Sequence, residues 1–161
     1  MSFLPPDYEV PQAGGKYFRP KEGSHKIRIL DSPVLGYVLW ENDELKGRYK
    51  TPTGKSRHFW AMAIYNHATE EVQLWEVTQQ GIQNDLKDLA NNPDWGSPVE
   101  YDITVIRKGT TKDDTSYSLQ PSPNKGQLPT EAQQKVAETT VNLQALFTNG
   151  DPFDTPEFVT E

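Results

Sequence analysis

From His25 to Leu30 the chain alternates Lys26 and Arg28 with Ile27 and Ile29, the two-residue period of a strand buried on one side only. After Pro33, "VLGYVLW" continues in β-prone residues with Gly36 as a bend, so residues 25–40 read as one long interrupted strand or two short ones. The polar, turn-rich stretch 41–55, "ENDELKGRYKTPTGK", reads as a long loop. "SRHFWAMAIY" and "EEVQLWEV" are the next strands, and "NHATE" between them has the length of an antiparallel hairpin connection. Ile82, Leu86 and Leu89 at helical spacing predict a helix with Thr78 as its N-cap. "YDITVIRK" and "TSYSLQP", joined by "GTTKDD", predict a second hairpin.

The order strand, strand, strand, helix, strand, strand is that of an all-β, five-stranded OB-fold barrel with a helix between strands 3 and 4. An α+β open sheet accommodates the same inventory. Residues 16–122 would form this domain, behind a Pro- and Gly-rich N-terminal arm over residues 1–15. Residues 123–150 read as a linker and then a flexible or helical extension, with Val136, Thr140, Leu143 and Phe147 at helical spacing. Residues 151–161 form an acidic tail in which Phe153 and Phe158 sit among Asp151, Asp154 and Glu157.

Charge changes this picture more than composition does. The 161 residues carry a net charge of -7, yet residues 16–60 hold ten Lys and Arg against five Asp and Glu. Residues 61–161 hold six against sixteen. An acidic protein with a basic first third has the electrostatic requirement for binding a polyanion. The absence of Cys excludes disulfides, thiolate metal sites and cysteine nucleophiles. The first residues carry neither a basic region nor the apolar run of a signal peptide, and no stretch approaches the roughly 20 apolar residues of a membrane span. An intracellular protein without membrane attachment is expected.

Catalysis finds little support. His25, His58 and His67 are not spaced as metal ligands, and there is no phosphate-cradling glycine loop or nucleophile elbow. Binding fits better, and the predicted hairpin suggests how. Pairing Tyr65 near Glu71 would turn Trp60, Met62, Ile64, Val72 and Leu74 inward and leave Phe59, Tyr65, Gln73 and Trp75 around two alanines outside. Flat rings beside small residues suit unpaired bases, each stacked base contributing ~1–3 kcal/mol without selecting sequence. A one-residue slip would exchange the faces, and Trp60 would then take the place of Phe59. Arg48, Lys50, Lys55 and Arg57 in or beside the preceding loop would hold phosphates, with Tyr49 exposed among them. Lys26 and Arg28 on the first strand and Arg107 and Lys108 at the end of the fourth would extend the track, and Tyr37 and Trp40 could line the same groove.

The stretches "KYFRPKEGSHKIRIL", "KSRHFWAMAIYNHATEEVQLWEVTQQGIQNDLKDL" and "DWGSPVEYDITVIRKG" resemble the single-stranded DNA-binding proteins of tailed bacteriophages over residues 16–121. The resemblance implies an OB fold and sequence-nonspecific binding that protects and organises single-stranded DNA during replication or recombination in the host cytoplasm, with no cofactor; some phage proteins of this function hold a structural zinc, which this Cys-free chain cannot build on thiolates, and no metal is expected. "DPFDTPEFVTE" looks like the acidic, Phe-containing tails of such proteins, which implies recruitment of replication and recombination partners. Bacterial tails end on Phe, whereas this chain runs on to Val159, Thr160 and Glu161. The C-terminal helix or an exposed edge strand offers a surface for a homodimer. The alternatives are an OB module for RNA and a protein-interaction or scaffold module.

Overall fold

The computed structural model describes residues 16–111 and 113–153. It is mostly β: seven antiparallel strands in one sheet with few helices. β1 (Gly23–Ile29) and β2 (Val34–Glu41) both pair with β4 (Arg57–Asn66), β1 along its C-terminal end and β2 along its N-terminal end. Ile29 faces Ile64 and Val34 faces Ala61, so residues 30–33 stand against only Met62 and Ala63. This two-residue excess is the interruption expected between 25 and 40. The bend lies at Asp31 to Pro33, not at Gly36, which pairs in register with Phe59.

The loop expected over 41–55 contains a strand, β3 (Glu44–Tyr49), closed onto β2 by Asn42 and Asp43. Both have left-handed backbones, φ 51° and 62°, the geometry of the tightest hairpin turn. β5 (Glu71–Val77) pairs with β4, α1 (Gln80–Asn91) follows, and β6 (Tyr101–Lys108) pairs with β1 and with β7 (Ser116–Lys125). The sheet order is β3-β2-β4-β1-β6-β7 with β5 on the other edge of β4, and among the described residues no pairing of β5 with β7 closes it into a barrel. No helix of the described residues is long and apolar enough to cross a membrane.

The inner face of the sheet holds Ile27, Ile29, Met62, Ile64, Trp75, Val77, Tyr101, Ile103 and Val105, covered by Ile82 and Leu86 of α1. Thr78 does not cap α1; the position before the helix is Gln79, without a side-chain cap bond. Gln83 ties the helix down instead, its amide donating to the carbonyls of Val77 and His58.

The outer face is also covered, by the segment expected to be a linker and a flexible or helical extension. α2 (Thr130–Glu138) buries Ala132 against Tyr65 and Val72. The helical spacing does not continue to Phe147: the chain is extended at Thr139, and a short 3-10 turn at Leu143–Thr148 packs Leu146 onto Val38, Phe59, Ala61 and Leu74. Gly36 makes room for this turn. A Cβ there would lie 2.7 Å from the Phe147 ring and 2.8 Å from that of Phe59.

Candidate nucleic-acid interface

The hairpin pairs one residue away from the expected register. Tyr65 faces Val72 and Met62 faces Trp75, because Asn66 joins the ladder opposite Glu71. The amide of Asn66 bonds Gln73 across the hairpin, and its side-chain oxygen accepts from Ala68 in the turn. The slip exchanges the faces of β5. Trp75 lies 2 % exposed in the inner core and Leu74 points outward, the reverse of the expectation.

The outer aromatic platform is therefore not open to a ligand. Phe59 is completely buried beneath Leu146 and Phe147, and Tyr65 is buried beneath α2, where burial pushes its phenol pKa up. Three predicted phosphate contacts are also occupied. Arg28 is buried and donates to Asp102 at 2.9 Å and to the Gly126 carbonyl at 2.7 Å. Arg48 donates to both carboxylate oxygens of Glu76. Arg107 is half-buried, its guanidinium over the Tyr117 ring and bonded to Pro20 and Thr115.

Asp102 organises the back of β1 and β6. Burial alone would raise its pKa; a hydrogen bond and charge from His67, with charge and a hydrogen bond from Arg28, outweigh this and hold it below the usual aspartate value. Lys26, mostly exposed, stands 3.7 Å from the same carboxylate.

What stays open lies on the other side of the same strands. Where β2, β3 and the start of β4 run past the core, the inner face emerges as a surface. Tyr49, Tyr37 and His58 stand in register across β3, β2 and β4, all half-buried, with the Tyr37 and His58 rings 5.0 Å apart. The next pair along is Leu35, 55 % exposed, opposite the half-buried Trp60. Trp40, 53 % exposed, stands nearer the hairpin tip opposite Leu45.

Lys50, Lys55 and Arg57 are exposed at the ends of β3 and β4 and in the loop between them, and none forms an ion pair among the described residues. Lys50 lies over the Phe147 ring. Lys108 is exposed at the far end of β6. Leu35 and His58 were not among the candidates, although the alternation that placed His58 with Trp60 already carried the signal.

Of the predicted tail, Asp151 is exposed and accepts a bond from the Phe153 amide, while Phe153 packs against the outer cluster with the Lys16 ammonium 5.3 Å from its ring. Asp154, Glu157 and Phe158, like the arm over residues 1–15, lie outside the described residues. Among the described residues no three His, Asp or Glu side chains gather where a metal ion could be held. No family model, curated protein or solved structure matches this chain.

Proposed function

We propose that this chain binds single-stranded DNA without sequence preference, by stacking bases on the row Tyr49, Tyr37 and His58 and on Trp60, with phosphates held by Lys50, Lys55 and Arg57. The observation that carries the reading is the register of that row: three flat rings side by side across three strands, half-buried, with Lys50, Lys55 and Arg57 exposed at the nearby strand ends and loop and in no ion pair among the described residues. Bases stack on such rings regardless of identity, and cations without acidic partners are the ones available to phosphate. Trp40 and Lys108, both exposed, would add to the same chemistry, whereas Lys26 lies 3.7 Å from Asp102 and alternates to the other face with Arg28.

The fold is read as an OB barrel left open. β1 with β2 is its first strand, β4 and β5 follow, α1 precedes β6 and β7, and β3 is an insertion between the first two. The role that fits is that of the phage single-stranded DNA-binding proteins, which coat DNA in replication or recombination inside the infected cell. No catalytic role is assigned, and the acidic C-terminal tail is read as the contact for replication partners.

Fluorescence anisotropy with labelled oligo-dT over a salt series tests the reading. Log affinity should fall linearly with log salt. Replacing both Lys55 and Arg57 with Ala should flatten that slope by about 1.4, roughly 0.7 per phosphate contact on a single strand. Tyr37→Ala should weaken binding by ~1–3 kcal/mol with the slope unchanged. Tighter binding of matched RNA would overturn the choice of DNA. Absence of binding at low salt would favour a protein-docking module, for which the exposed Leu35 and Trp40 would be the apolar anchors.

A further inference from the structure

At the break between β1 and β2, Asp31 to Pro33 swing away from β4 and leave a cavity of about 290 Å³ against α1. Its walls are Ile29, Pro33, Trp60, Met62, Leu86 and Val99. Ser32, Asn91 and Ser97 bring hydroxyl and amide groups to it, and Lys87 and Asp31 bring one charge of each sign. Trp60 belongs both to this cavity and to the open surface, where it follows the Tyr37 and His58 pair along β4. The ring row therefore leads into the cavity mouth.

We propose that the cavity receives one unstacked base of the bound strand, beside the Trp60 indole. The inference rests on the single-strand reading above and adds to it a site that reads a base by enclosure. Four features favour a base over other occupants. The volume suits one planar ring system and is at the small end for a larger ligand. The apolar walls with an indole on one side are what a base removed from its stack needs, while a few hydroxyl and amide groups meet the polar edge that an apolar side chain would leave unpaired. Asp31, whose carboxylate already accepts the Ser32 backbone N–H at 2.7 Å, disfavours an anion inside. The exposed Lys87 provides a cation for a phosphate that stays outside.

The test fills the cavity from its rim. Ala90 and Asn91 are exposed on α1 and line the cavity, so Ala90→Trp and Asn91→Phe occupy it without altering the core. In the full chain, each variant that keeps the wild-type unfolding transition should bind oligo-dT about tenfold more weakly with an unchanged salt slope. An oligonucleotide series with one abasic position moved along the strand should show one position that costs affinity in the wild type and costs nothing in the filled variants. Wild-type affinity in the folded variants, or equal abasic losses in both proteins, would overturn the cavity site and leave the ring row standing. Failure of the wild type to bind any oligonucleotide would overturn both.

Discussion

Phe59→Ala should lower the free energy of unfolding by about 3–5 kcal/mol, the range for removing a wholly buried aromatic side chain and leaving a cavity. The ring is completely buried, packed with Val38, Ala61, Leu74 and Leu146, and its centre lies 6.0 Å from that of Phe147. The neighbours cannot easily collapse into the gap, since Gly36 has no side chain and Ala61 only a methyl group with which to fill it. Two losses add here: the transfer free energy of the ring, and the seat of the 3-10 turn that lies on it. Urea denaturation would measure the change, with the released C-terminal segment detected by limited proteolysis. Near-wild-type stability would mean that the turn does not dock there. Folded Phe59→Ala should bind oligo-dT as the wild type does, which separates it from Tyr37→Ala.

Asp102→Ala should be the second large loss, about 3 kcal/mol, because it strands the buried Arg28 cation and not because an ion pair is removed. The side chain of Arg28 is only 8 % exposed and would retain only the Gly126 carbonyl, while His67 would lose the carboxylate 2.9 Å from its Nε2. Acid should act on the same group. The carboxylate of Asp102 has a lowered pKa in the folded chain, so its contribution is complete above the unfolded value near 3.8 and is lost as pH falls through the lower folded value. Wild-type stability should decline below about pH 4, and Asp102→Ala should lack that part of the decline. Urea midpoints over a pH series would check both. A decline of equal size in the two proteins would contradict this account of Asp102.

The strands were largely legible because alternation was strong where one face is apolar. Ile27, Ile29, Met62 and Ile64 could point only one way, and Ile82 and Leu86 fixed the buried side of α1. β3 was missed because "ELKGRY" offers one apolar residue between charges and because a turn at Asn42 and Asp43 has no glycine. The register of β4 with β5 depended on whether Asn66 belonged to the strand or the turn, a choice made by its side-chain bonds to Gln73 and Ala68. Those bonds follow from geometry that composition does not encode.

The candidate site was legible as chemistry and not as a place. Tyr37, Tyr49 and Trp60 were named and share one partly open face, with Lys50, Lys55 and Arg57 exposed at the nearby strand ends and loop, while Phe59, Tyr65 and Trp75 have the same residue types and are buried. What separates them is a covering segment far downstream, which lies over Phe59 and Tyr65 and half of which docks as an irregular turn, and the one-residue register that turns Trp75 into the inner core. Arg28 points away from the inner core as alternation predicts, whereas Arg48, expected in a loop, lies on β3. The acids that claim them, Asp102 and Glu76, lie far along the chain and come beside them only through sheet pairing.

A single strand, β4, serves as core at one end and as surface at the other. Ile64 and Met62 are locked in the interior, and His58 and Trp60 continue the same side of the same backbone into solvent. Rings mounted this way are already immobilised before any ligand arrives. On the proposed reading, little side-chain entropy of these rings would remain for association to remove, which would lower one of the costs of binding. The same stiffness fixes the spacing between rings, so strands whose bases can adopt that spacing without strain would be favoured over duplexes, whose bases are already stacked on one another.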